Sequence, residues 1–217
     1  MKIFSYQPPS IPWLDIRYQD RDIIVINKPS GLLSNPGRAE NTFDCAINRL
    51  LQRYPEAILV HRLDCATSGI MVFALNKKAE SNIKTQFQNR VTEKYYVAEV
   101  QGIVTNDSGK IELAMMANSE HPPLQQIDVN GKAATTYYEV MERRANSTLI
   151  KLKPITGRTH QLRLHMKALG HTILGDDFYG NEQIIKAADR LCLHAQHLQI
   201  LHPYTKAPIS FFSKHPF

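Results

Sequence analysis

His61-Arg62-Leu63-Asp64-Cys65-Ala66-Thr67-Ser68-Gly69-Ile70-Met71-Val72-Phe73-Ala74-Leu75-Asn76 is the stretch on which the fold turns. Residues 69–75 are too continuously apolar for a solvent-facing edge, so they read as a strand buried on both faces. Asn76 follows as a side chain suited to cap a helix, which the pattern carries to about Arg90. Ahead of the strand, an Arg, an Asp, a Thr and a Ser crowd into one loop. A loop rooted in a rigid sheet is a common mount for catalytic groups, and Asp64 is the candidate on it. Local pattern alone leaves open a turn role, with the carboxylate accepting from the N–H of Thr67 or Ser68.

Upstream, residues 22–27 read as a strand, and Phe43, Ala46, Ile47, Leu50, Leu51 and Tyr54 recur at helical spacing behind Thr42 as cap. Residues 1–21, rich in Pro and aromatics, read as an irregular arm packed on the body that buries Trp13. Downstream, strands are predicted near 94–102, 111–115, 133–143, 147–153, 193–201 and 209–212. An exposed loop falls at His121-Pro122-Pro123, and a helix over 159–169 stops at Gly170. This order predicts an α+β fold with a mainly antiparallel sheet, as one domain over 22–217 behind the arm.

The 217 residues, 43% of them hydrophobic, can bury a sizeable core, and 26 Lys and Arg against 20 acids (formal charge +6) favour a polyanionic partner. With no apolar h-region and no run approaching the ~18 residues that span a bilayer, the expectation is a soluble cytoplasmic protein without a membrane partner. Cys45, Cys65 and Cys192 form no C-x-x-C, so neither a disulfide framework nor a zinc knuckle is expected. His160 and His165 diverge on a helix, and His194 and His197 lack an acidic third ligand, so no metal site is expected. The modest size, without an obvious exposed apolar helix, suggests a monomer.

Two further clusters interrupt the periodic patterns. In Asn27-Lys28-Pro29-Ser30-Gly31-Leu32-Leu33, Lys28, like Arg38 nearby, flanks a turn where it could meet phosphate. In Lys153-Pro154-Ile155-Thr156-Gly157-Arg158-Thr159-His160-Gln161-Leu162-Arg163-Leu164-His165, Arg163 sits one turn into a helix. It is a natural partner for keeping a half-buried carboxylate ionised, or else a surface charge. Lys77, Lys78, Lys84, Arg90 and Lys94 give the helix after the buried strand a basic character that suits an RNA backbone or a solvated face equally.

Together the H-R-L-D-x-x-T-S-G loop, the K-P-x-x-G-R-x-H-Q-L-R-x-H-M segment and the N-K-P-S-G-L opening resemble the RluA family of pseudouridine synthases over residues 22–217. The resemblance implies the pseudouridine synthase fold, a central sheet flanked by helices and loops with an active-site cleft across it, and isomerisation of uridine to pseudouridine in RNA without any cofactor. It implies catalytic Asp64, Arg163 paired with it, Tyr96 packed against the uracil, and Arg62 displacing the base from its stack. His61, Leu162, Lys28 and Arg158 follow as RNA-contacting or base-flipping residues. Tyr95 neighbours Tyr96, but a strand sends the two to opposite faces, and Val97-Ala98 fixes Tyr96 as the match. The chain is most similar to the member acting on 23S rRNA and tRNA anticodon stem-loops. The expectation is of a chain that starts almost directly at the catalytic domain, without a small N-terminal RNA-binding domain, and its arm at Pro8-Pro9-x-x-Pro12-Trp13-Leu14 is similar too.

Such chemistry asks for one carboxylate beside C1′ and C2′, serving as nucleophile or base, and a dry pocket for the freed uracil. Two rival readings use the same residues. A metal-dependent RNA nuclease or phosphodiesterase would draw on Asp64, Asp176 and Asp177. A non-catalytic RNA-binding module would use Tyr95, Tyr96 and the basic helix only to stack and neutralise.

Overall fold

A computed structural model of the chain describes residues 6–37 and 39–217, which leaves Arg38 and the first five residues of the arm outside the described set. The chain divides into two compact units: residues up to Glu93 joined by Ala195–Lys214, and Lys94–His194 joined by His215–Phe217. No helix among the described residues is long and apolar enough to cross a membrane.

In the first unit, β1 (Ile16–Gln19), β2 (Ile23–Lys28), β4 (Ser68–Ala74) and β11 (Leu193–Leu201) follow one another across the sheet. β3 (Ile58–Leu59) adds to β4 and β12 (Pro208–Phe212) to β11. All seven residues of β4 are buried, as the apolar run requires. Ile70, Val72 and Ala74 share a core with Ala79 and Ile83 of α2 (Lys77–Gln88), so α2 covers that face. Each of the Ile and Val side chains contributes about 1.5–3 kcal/mol by leaving water. α2 begins where Asn76 accepts from the N–H of Ala79 at 2.8 Å. At Gly69 the backbone runs so close to β11 that a Cβ would lie 2.3 Å from the Ala195 carbonyl oxygen, and φ is +120°, so only glycine fits.

The second unit carries the antiparallel strands β5 (Glu93–Gln101), β10 (Ser147–Pro154), β9 (Thr135–Arg143) and β6 (Ser108–Glu112), in that order. A separate hairpin pairs β7 (Met115–Ala117) with β8 (Gln125–Ile127), and α3 (Gln161–Ala168) and α4 (Glu182–Lys186) complete the unit. Every strand pair of known register is antiparallel, and the molecule is α+β, as expected.

Several local expectations need correction. The helix after Thr42 is shorter than its periodicity suggested: α1 spans Ala46–Leu51, Cys45 stands at its N-cap, and Phe43 is 71% exposed. Thr42 instead donates to the Ala39 carbonyl and accepts from Gly37, closing a tight turn. The arm holds strand β1, and Trp13 stays 46% exposed, its ring stacked under the Arg49 guanidinium at 4.2 Å. Arg49, itself buried, reaches the Pro9 and Trp13 carbonyls and pairs with Asp44, so it pins the arm. The strand expected at 111–115 is divided between β6 and β7, and β8 and α4 carried no clear signal.

Candidate active site

Three groups of main-chain contacts hold the loop ahead of β4. Ser34 donates to the Leu63 carbonyl at 2.6 Å and accepts from the Leu63 N–H at 3.0 Å. Gly31 N–H and Lys28 Nζ both reach the Cys65 carbonyl, at 2.9 and 3.1 Å. Ser30 donates to the Ala66 carbonyl at 2.7 Å. These contacts bracket Asp64 and spare its side chain. Thr67 N–H goes to the Asp64 backbone carbonyl at 3.1 Å, not to its carboxylate. Among the described residues of this unit, nothing hydrogen-bonds the half-buried Asp64 carboxylate, so the turn role does not account for it. Arg62 points its charge outward, exposed, with no ion pair among the described residues.

Lys28 and His61 turn out to be structural in position. Lys28 is fully buried and spends its three N–H donors on the carbonyls of Pro29, Leu32 and Cys65, so it shapes the loop and cannot meet a phosphate. A buried ammonium is tolerated only with such a full cage of acceptors. The His61 ring packs on Phe87, 4.7 Å between centroids, and its Nε2 accepts the Val72 N–H at 3.0 Å. That bond ties the loop to β4. On α2, Glu80 pairs with both Lys77 and Lys84, which stay exposed but partly neutralised, and Lys78 and, past the helix end, Arg90 are exposed as well.

In the second unit the node is Arg163, only 2% exposed and so not a surface charge. Its Nε and Nη2 grip Asp176 at 2.8 and 2.5 Å, and Nη2 also reaches Asp177 at 2.9 Å. The guanidinium lies over the rings of Phe178 and Tyr179. Nη1, on the opposite edge, bonds to neither carboxylate. Asp176 is fully buried and also accepts from the N–H groups of Phe178 and Tyr179, so its lone pairs are saturated. Asp176 is therefore unsuited to hold a catalytic metal, against the nuclease reading.

The start of α3 is built by Gln161, whose role sequence reasoning missed. Its amide donates to the Thr135 carbonyl and Thr136 Oγ1 and accepts from Thr156 Oγ1 and Arg158 N–H. Thr136 then passes its own proton to His165 Nδ1, and His165 Nε2–H points at the Leu113 carbonyl. Burial, outweighing that last bond, pushes the His165 pKa below its usual 6.5, so the ring is neutral. His160, at φ +56°, turns the chain into the helix and meets the Tyr179 hydroxyl at 2.9 Å. Arg158 is exposed, whereas Leu162 is buried and cannot act as a surface contact.

Strand register separates the two tyrosines. Tyr96 faces Leu152 and Leu152 faces Tyr138, so these share one sheet face with Pro154 and Thr136, two residues along. Thr136 is the residue bonded by α3, so Tyr96 lies on the α3 face of the sheet. Tyr95 is on the other face, with Lys151 over its ring at 5.1 Å.

One cluster has metal-like spacing, Asp20, Asp22 and His202 in the first unit, with ligand atoms within 4.8 Å of one another. Its donors are already committed. His202 Nδ1 accepts from Tyr204 and Thr205 N–H while Nε2 faces Asp20, and Asp20 accepts from Tyr18 and from Asp22 and Ile23 N–H. It is a knot between two turns.

The likeness of this sequence and fold to known proteins makes the chain an RNA-modifying isomerase. The family model for RNA pseudouridylate synthase matches residues 22–168, and the chain belongs to that family. It is 49% identical to the dual-specificity RNA pseudouridine synthase RluA of Haemophilus influenzae over 219 residues, covering 100% of both chains. It is 50% identical to the protein of the same name from Escherichia coli K12, covering 94% of each. Among solved structures it resembles human RNA Pseudouridylate Synthase Domain Containing 1, with a TM-score of 0.82 and 30% identity over 97% of this chain and 87% of that one.

Proposed function

We propose that this pseudouridine synthase modifies uridines in both 23S rRNA and tRNA anticodon stem-loops, with Asp64 as its catalytic carboxylate. The observation that carries the role of Asp64 is the loop itself: the bonds to Leu63, Cys65 and Ala66 fall on main chain on either side of it, and among the described residues of its unit none is made to the carboxylate. Both routes open to it, attack at C1′ and removal of the C2′ proton, require it ionised. In either, the C1′–N1 bond breaks, the uracil turns, C5 bonds to C1′, and the C5 proton leaves to water while N1 regains one.

Arg163 serves as the charged partner of the catalytic carboxylate, its own side chain gripped by Asp176 and Asp177. Tyr96 stacks on the uracil and Leu162 walls its pocket. Arg62 enters the stack as the base flips, a step costing about a few kcal/mol, and Arg158 meets phosphate. The enzyme works in the cytoplasm as a monomer, with residues 22–217 as a single catalytic domain behind the arm. Pseudouridine mapping in total rRNA and tRNA from a deletion strain tests the substrates. Sites in both RNA classes should vanish and return with the native gene but not with Asp64→Asn. Loss confined to one class would refute dual use.

A further inference from the structure

The hydroxyl of Ser34 occupies an unusual position. It is buried, 29 residues away in sequence from Leu63, and it both donates to and accepts from the backbone of that one residue, as a neighbouring strand would. The peptide plane between Leu63 and Asp64 includes the Leu63 carbonyl, so holding that carbonyl at 2.6 Å fixes the orientation in which Asp64 begins. Ser34 is itself rigidly seated. Its carbonyl accepts the Ile47 N–H and that of Leu33 accepts the Ala46 N–H, both in the first turn of α1. On the other side, the Leu33 N–H donates to the Tyr6 hydroxyl at 3.0 Å, and Tyr6 donates onward to the Asp44 carbonyl at 2.6 Å. Burial pushes the Tyr6 phenol up to about 12, so that proton stays in place.

We propose that Ser34 is a positioning residue for Asp64, and that Tyr6 of the N-terminal arm supports it from behind. The inference rests on Asp64 being the catalytic carboxylate. Ser34 touches no substrate; it fixes the plane from which the carboxylate is aimed, and an error approaching 1 Å at a reacting group costs about a hundredfold in rate. Without the hydroxyl, the N–H and carbonyl of Leu63 lose their shared partner and the loop pivots about its remaining anchors at Cys65 and Ala66.

The test is single-turnover tritium release from C5-labelled RNA bound to excess enzyme, well below the unfolding temperature, with RNA affinity measured in parallel. Ser34→Ala should slow release about ten- to a hundredfold, with the RNA Kd within about twofold of native. Ser34→Thr, which keeps the hydroxyl, should recover most of the rate, and Tyr6→Phe should slow it about threefold by the same route. A native rate in folded Ser34→Ala, or a loss of rate that only follows loss of RNA binding, would overturn the proposal. Should Ser34→Ala not fold, Tyr6→Phe carries the test, and a native rate there overturns it. Asp64→Asn run alongside separates the two claims. If it stays active, the reading of Asp64 falls; if it is dead while Ser34→Ala is native, only the role of Ser34 falls.

Discussion

The loop around Asp64 and the node around Arg163 are fixed by opposite means. The first is held around Asp64 through the main chain of Leu63, Cys65 and Ala66, by Ser34, Gly31, Lys28 and Ser30, and among the described residues of its unit nothing hydrogen-bonds the carboxylate. The second is held through its own charged side chain, buried among Asp176, Asp177, Phe178 and Tyr179. A reacting group must keep its lone pairs for the substrate, so its fixing bonds fall on neighbours. A group that supplies only a charge can be held by that charge.

The contrast can be broken most severely in the second unit. Asp176→Ala removes the buried partner of Arg163, leaving the half-exposed Asp177 against that guanidinium, and should cost about 3–5 kcal/mol of stability, read as a lower denaturation midpoint. Asp177→Ala removes a partner that is 58% exposed and should cost less than about 1 kcal/mol. Equal losses would mean that Asp176 is not the anchor.

Next in size is the pair of tyrosines. Tyr96→Ala should lose about 1–3 kcal/mol of stacking on the base, seen in kcat/KM, whereas Tyr95→Ala on the opposite face should change it less than about threefold. The reverse order would contradict the register argument.

Arg62→Ala should leave stability within about 0.5 kcal/mol of native, because Arg62 is exposed and unpaired among the described residues. It should still lower turnover.

The smallest effect concerns pH. His165 binds its proton less readily folded than unfolded, so its contribution to stability is complete above the unfolded value of 6.5 and is lost as pH falls below it. Thermal unfolding between pH 7 and 5 should show a fall in midpoint that His165→Gln reduces. An unchanged slope would refute the buried neutral ring.

Much of the scaffold was legible because its signals are local. The run 69–75, the Asn76 cap and the Gly170 stop, at φ +90°, each depend on a few adjacent residues. β1 was hidden within a Pro-rich arm, and α4 is too short to show a period. At the site, Asp64 was legible as a loop carboxylate and Arg163 as its prospective partner, yet what Lys28, His61, Ser34 and Gln161 do was not. Lysine is ordinarily exposed, and the carbonyl cage that buries Lys28 is assembled from residues up to 37 positions away. The bond from Ser34 to Leu63 likewise leaves no trace in either local pattern. Asp176 accepts from the N–H groups of Phe178 and Tyr179 just after it, a local role, while its bond to Arg163 reaches back to α3 and leaves no mark in the local pattern.

Whether the Asp64 carboxylate carries out the isomerisation is read from tritium release to water from RNA labelled at uridine C5. The native enzyme should release label without added metal and in the presence of EDTA, and Asp64→Asn should release none while still binding RNA. Release that survives Asp64→Asn would contradict the account.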